Sequence, residues 1–275
     1  MRDTPAAPAT LEGWYLLHQL FRLDWPRVKT VPPETAARMG EEFSALFSGP
    51  REEAKDGWSG AYRLVGGGAD FLLMHFREDL EALVRAERRI QASELGDYLQ
   101  LTADYLSVVE LGLYSVSTDV AERLAREGRA EDPEAWAAEL GKALEEQREI
   151  PYVQRRLRPV QPEGMPYVSF YPMNKRREAG RNWYTLPLEE RAELMHDHGS
   201  VGRRYAGRIS QVISGSVGLD DWEWAVTLFG EDPLAFKEVV TEMRYDRASA
   251  EYAEFGDFYV GVRMRPDEWK DPEAW

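Results

Sequence analysis

The sequence predicts an α+β fold of two tandem ferredoxin-like βαββαβ domains, each an antiparallel sheet with helices on one face. Three observations lead there. The order strand, helix, strand, strand, helix, strand is read twice along the chain. Gly- and Pro-bearing turns punctuate both copies. A charged, alanine-rich stretch lies between them. The domains are therefore drawn at 1–116 and 151–275, with 117–150 as a helical acidic excursion.

In the first copy, Gly13 to Phe21 is aromatic and β-rich, and Pro32-Pro33 opens an amphipathic helix through Phe47. Trp58 to Val65 reads as a strand. Gly66-Gly67-Gly68 then turns the chain into a second strand, Phe71 to Phe76. Leu80, Leu83, Val84 and Ile90 give helical spacing between Glu78 and Ser93, and Tyr98 to Tyr114 follows as a long strand. Ser117 to Arg148 predicts one or two exposed helices. In the second copy, Tyr167 to Pro172 alternates as a strand, and Leu186-Pro187 opens a helix reaching about Tyr205. Arg208 to Ser214 and Trp222 to Phe229 are the next strands. Asp232-Pro233 starts a helix through Met243, and Phe258 to Met264 alternates as the last strand.

Composition narrows the function classes. The chain has 275 residues and no cysteine, which excludes disulfides, thiolate nucleophiles, iron–sulfur clusters and thiolate-bound zinc. Its net charge of −15 argues against an indiscriminate nucleic-acid binder. The longest apolar runs, such as Phe71 to Met74, are too short to span a bilayer. Met1-Arg2-Asp3-Thr4-Pro5 lacks the apolar core of a signal peptide, so a cytoplasmic location is expected. Charge is uneven, however. Between Pro151 and Gln211 eleven Lys or Arg face six Asp or Glu. Such a cationic segment in an acidic chain is either a dedicated anion site or one side of inter-segment salt bridging.

Four histidines exist. On the helix from Leu188 to Tyr205, His198 shares a face with Leu194, Met195, Val201, Gly202 and Tyr205. An imidazole there is either an axial iron ligand or a packed core histidine bonded to a backbone carbonyl. His196 falls on the wet face, and His18 and His75 fall in strands as structural residues. There is no zinc-like histidine pairing, no GxSxG elbow and no phosphate loop. The string Tyr171-Pro172-Met173-Asn174-Lys175-Arg176-Arg177 is more informative. Alternation turns Tyr171 and Met173 to one face, with a phenol close to three consecutive cations.

That string, Asn182-Trp183-Tyr184 and Met195-His196-Asp197-His198-Gly199 resemble the coproheme decarboxylase branch of the chlorite dismutase family. Gly13-Trp14-Tyr15 with His18, and Ser107-Val108-Val109-Glu110-Leu111, add to the resemblance. It covers most of the chain outside the Ser117 to Arg148 excursion. It implies a fold of the dimeric α/β-barrel type and a homopentamer. It also implies iron coproporphyrin III as substrate and redox centre, and haem b as product. His198 matches the proximal iron ligand. Tyr171 matches a tyrosine that forms a radical and abstracts hydrogen from a propionate, which Lys175 holds. Gln211 falls at the distal position, where chlorite dismutases carry an arginine. Met173 and Trp183 fall in the porphyrin pocket. Arg244, Ser249 and Tyr114 fall at propionate contacts, with one of Arg156 and Arg158 adding another. Hydrogen peroxide would be the oxidant, and two propionates would become vinyl groups. The competing expectations are a chlorite dismutase-like or general haem peroxidase, and a haem-binding protein without turnover.

Overall fold

A computed structural model describes residues 7–47, 57–66, 68–271, 273 and 275. The Met1 to Pro5 stretch and Gly67 lie outside the described residues. The first half runs β1 (Ala9–Leu23), α1 (Trp25–Val28), α2 (Pro33–Ala45), β2 (Trp58–Leu64), β3 (Phe71–Arg77), α3 (Leu80–Gln91) and β4 (Leu99–Leu113). Three helices follow: α4 (Tyr114–Arg126), α5 (Pro133–Arg148) and α6 (Pro151–Leu157). The second half runs β5 (Tyr167–Lys175), a small hairpin β6 (Arg177–Glu178) and β7 (Arg181–Asn182), α7 (Leu188–Arg203), β8 (Ile209–Gly215) and β9 (Trp224–Gly230). It ends with α8 (Leu234–Met243), α9 (Arg247–Ala250), β10 (Ala253–Phe255) and β11 (Tyr259–Arg263).

Local chemistry sets these limits. Pro33 and Pro133 sit in the first turns of α2 and α5, where a missing N–H costs nothing. Asp79 caps α3 by accepting the Ala82 N–H at 2.6 Å, and Asp132 caps α5 through Ala135 at 2.9 Å. Every expected strand and helix of the two repeats is present. The excursion is wider than expected, because β4 passes directly into α4 at Tyr114 and α6 continues to Leu157. α6 packs Val153 and Leu157 onto Leu11 and Leu113. At Gly13 a Cβ would stand 1.9 Å from the Leu157 carbonyl oxygen, so only glycine admits this approach. The register of β1 on β4 shifts at that place, between Glu12 and Tyr15.

Each half has the same strand order, β4-β1-β3-β2 in the first and β11-β5-β9-β8 in the second. That is the ferredoxin-like arrangement made twice. The free edges then pair with each other: β2 with β11, and β4 with β8. The result is one closed antiparallel barrel of eight strands, with β10 an extra strand on β5. Inside it lie Trp14, Leu16, Leu20, Leu72, Met74, Phe76, Tyr105, Phe170 and Phe229. Outside, Phe43, Phe71, Leu73, Ile90 and Trp269 form the core under the first half's helices. Tyr171, Val226, Leu228, Phe236, Val239 and Met243 form the corresponding core of the second half. This outer face holds the candidate site.

Candidate active site

The outer face of the second half is a grid set by register. Tyr171 stands opposite Val226 and, beyond it, Ile213. One row on, Met173 stands opposite Phe255 on one side and Trp224 then Gly215 on the other. One row back are Ser169, Leu228 and Gln211. Side chains directly opposite share a face, so Tyr171, Met173 and Gln211 all point outward together. α7, α8 and α9 form the opposite wall. Between the walls, Tyr171, Gln211, Leu228, Gly202, Tyr205 and Met243 line a cleft of about 30 Å³. A larger groove of about 320 Å³ runs along α3 between Arg77, Arg85 and Arg89, and contains none of the site residues.

Tyr171 is buried and stacks on Phe258, with ring centres 4.3 Å apart. Burial pushes its hydroxyl up and keeps the phenol protonated, although the Arg244 charge pulls the other way. Arg244 itself lies 3.8 Å above the Phe255 ring. Lys175, also buried, donates from Nζ to the Ala248 carbonyl at 3.1 Å and sits 4.1 Å above the Trp183 ring. Desolvation lowers its pKa to about 8, against the upward pull of Asp246 and Glu223. Trp183 is fully enclosed and packs in one cluster with Tyr114, Leu194 and Tyr252.

His198 occupies the inner side of α7, as its helical position predicts. Its Nδ1 lies 2.9 Å from Asp246 Oδ2 and 3.5 Å from Ser249 Oγ. The other Asp246 oxygen accepts the Ser249 N–H at 2.8 Å, capping α9. Burial works against the Asp246 charge, yet the His198 and Ser249 contacts together hold its carboxyl below the usual range. An ionised carboxylate there accepts a hydrogen bond from Nδ1–H and leaves Nε2 as the lone-pair side, the arrangement of a metal-binding histidine. Sequence reasoning missed Asp246. Its available signal was the Asp-x-x-Ser cap formed with Ser249.

The structure places Tyr171 and Gln211 on this cleft, with Met173 next on the same face of β5. Lys175 meets Trp183, which packs in one cluster with Tyr114, His198 and Ser249 meet at Asp246, and Arg244 lies over Phe255. It does not bring in Arg156 or Arg158. Arg156 donates to the Tyr152 hydroxyl at 3.1 Å, and Arg158 pairs with Glu78 at 3.7 Å. His196 is exposed, while His18 and His75 are buried in β1 and β3. Among the described residues no three His, Cys, Asp or Glu side chains gather as a bare metal site. One oriented imidazole with cations and hydroxyls around it suits instead a flat acidic macrocycle that carries its own iron.

Comparison with known proteins agrees. The chlorite dismutase family model matches residues 36–264. The coproheme decarboxylase of Staphylococcus saprophyticus is 41% identical over 270 residues, covering 97% of this chain and 98% of that protein. That of Thermus thermophilus is 44% identical over 262 residues, covering 94% of each. A solved structure described as a novel heme-binding protein from Thermus thermophilus superposes with a TM-score of 0.82 at 42% identity, covering 97% of both chains. A chlorite dismutase variant from Candidatus Nitrospira defluvii shares the fold at 18% identity, with a TM-score of 0.69 and 96% of each chain covered. By the extent of these matches, the chain belongs to the chlorite dismutase family.

Proposed function

We propose that this chain is a coproheme decarboxylase. It converts iron coproporphyrin III to haem b by peroxide-dependent oxidative decarboxylation of two propionates. The observation that carries this reading is one buried phenol and one buried ammonium on the same face of β5, opposite an imidazole anchored by a carboxylate. Full-length relatives named for that reaction, at 41% and 44% identity, support it. Each round consumes one propionic acid and one hydrogen peroxide, and yields a vinyl group, one carbon dioxide and two waters.

The substrate's own iron, once oxidised by peroxide, supplies the oxidising equivalent. His198 would hold that iron through Nε2. Tyr171 passes the equivalent on: its protonated phenol gives up a hydrogen atom, then regains one from the propionate β-carbon. Lys175 holds the reacting carboxylate by a charge-assisted bond in a dry setting. Arg244, Ser249 and Tyr114 take other propionates. Met173 and Trp183 shape the pocket. Gln211, uncharged and on the wall facing His198, suits neutral peroxide rather than anionic chlorite.

In this reading residues 151–275 hold the porphyrin, 1–116 complete the barrel and 117–150 form an outer helical layer. Among the described residues no helix is long and apolar enough to cross a membrane. A cytoplasmic homopentamer is part of the proposal. The test is to load the purified protein with iron coproporphyrin III, add hydrogen peroxide and follow product mass. Two successive losses of carbon dioxide and two hydrogens are expected, and Tyr171→Phe should abolish them. Binding without mass change would overturn the reading in favour of a haem carrier.

A further inference from the structure

The row of the sheet that carries Met173 continues into the first half of the chain. Met173 faces Trp224, Trp224 faces Gly215, and Gly215 faces Val108 on β4. Glu110 lies two residues beyond Val108 and shares its face. Its Oε1 accepts the Trp224 indole N–H at 2.7 Å. A Cβ on Gly215 would stand 2.2 Å from the other carboxylate oxygen, Oε2. The glycine therefore lets a side chain on β4 reach across β8 to β9. The bond also crosses the seam between the two halves, where β4 and β8 pair through Val108–Gly215 and Val109–Ser214.

A largely buried carboxylate is an expensive way to join two strands. Desolvation pushes the Glu110 carboxyl above its usual range; the Trp224 bond opposes this, and the Glu12 carboxylate across β1 adds to it. An apolar residue would close the seam at lower cost. What the carboxylate adds is direction: a Trp N–H has one donor axis, so its acceptor fixes how the indole plane stands. That plane borders Met173 on the wall opposite α7.

We propose that Glu110 is a positioning residue of the active site: acting across Gly215, it fixes the Trp224 indole as the porphyrin-facing wall beside Met173, so that the first half of the chain takes part in substrate binding. This rests on the reading of the cleft as a porphyrin site. An Ala at 110 frees the indole. A Gln keeps an acceptor oxygen for the same N–H. An Ala at 215 displaces the carboxylate while altering neither partner, in a residue type that strands accept.

The experiment measures affinity for iron-free coproporphyrin III by fluorescence, and for iron coproporphyrin III by its Soret band, in these variants. Glu110→Ala should weaken both by about tenfold or more, the scale of a lost charge-assisted hydrogen bond. Glu110→Gln should stay within about twofold of the parent. Gly215→Ala should match Glu110→Ala, and the double variant should be no weaker than either. Parent-like binding by Glu110→Ala, or Glu110→Gln as weak as Glu110→Ala, would overturn the proposal, as would additive losses in the double variant. A parent chain that binds neither porphyrin defeats the reading of the cleft itself, and is recognised by that control alone.

Discussion

At the scale of single residues, the site is built on one buried and one half-buried charge with different tasks. Lys175 is mostly protonated at pH 7, but its pKa of about 8 makes that charge easy to lose. Affinity for a carboxylate-bearing porphyrin should therefore fall as pH rises through about 8, and a Lys175→Met variant should bind weakly at every pH without that step. The same depression has a stability sign. Between the folded pKa near 8 and the ordinary value near 10.5, the unfolded chain binds more protons, so the porphyrin-free protein gains stability as pH rises through that window. At pH 7 Lys175→Met should accordingly stabilise the porphyrin-free fold by about 1 kcal/mol while ending decarboxylation, as urea titration and product mass would show. Asp246 has a double duty that two substitutions separate. Asp246→Asn keeps an oxygen to cap α9 but loses the charge facing His198, whereas Asp246→Ala loses both. Iron porphyrin affinity should drop about tenfold or more in each, and only the Ala variant should also lose about 1 kcal/mol of stability. The place of His198 was legible from helical spacing alone. Asp246 was not, because its partner lies 48 residues away and only the closed fold brings them together.

At the scale of elements, long periodic segments declared themselves and short ones did not. β1 and β4 each run 15 residues, and α3 carries its own cap, so their pattern survives local noise. The hairpin β6–β7, β10 and α9 have two to four residues each, too few to show a period. The extension of the excursion to Tyr114 and Leu157 was hidden for another reason: no breaker separates β4 from α4, and the apolar positions of α6 are few. The pair α7–α8 bears directly on function. Arg204–Glu242 at 2.6 Å and Arg208–Glu238 at 2.7 Å tie the C-terminal cap of α7 and the connection after it to α8. Both pairs are half-exposed, so removing either should cost under about 1 kcal/mol. The inner side is less forgiving. Gly202 lies one turn from His198, and a Cβ there would stand 3.3 Å from Met243 Cε and 3.9 Å from Gln211 Oε1. Gly202→Val would push a branched side chain into the cleft between α7 and β8. We expect that variant to fold and to lose porphyrin binding by about a hundredfold, measured at the Soret band; undiminished binding would mean the ring does not lie beneath α7.

At the scale of the whole molecule, the sequence announced two repeats but not that their sheets join into one barrel. Each half leaves two unpaired edges, and exposed edges are a liability that closure removes. Which edge meets which depends on contacts more than a hundred residues apart, such as Val108 with Gly215, and no local pattern encodes them. Two buried histidines have no part in the chemistry, and closure explains the first of them. His18 lies inside the barrel, stacked 4.0 Å from Phe170 of β5, with Nε2 at 2.9 Å from the Thr227 hydroxyl of β9. It thereby joins the first strand of one half to two strands of the other. His75 lies on the outer face, with Nδ1 at 2.8 Å from the Ser59 hydroxyl. Desolvation lowers both to about 3, with a further push on His18 from His75 and on His75 from Arg77. In the unfolded chain both return to about 6.5, so between pH 6.5 and 3 the unfolded state binds more protons and acid favours it. By pH 5 each histidine should have withdrawn about 2 kcal/mol of the stability present at pH 7.5. Urea midpoints across that range should therefore fall steeply in the parent and more gently in a His18→Gln, His75→Gln variant. An unchanged slope in the variant would assign the acid sensitivity to carboxylates instead, and would leave His18 as packing without a role in the pH response of barrel closure.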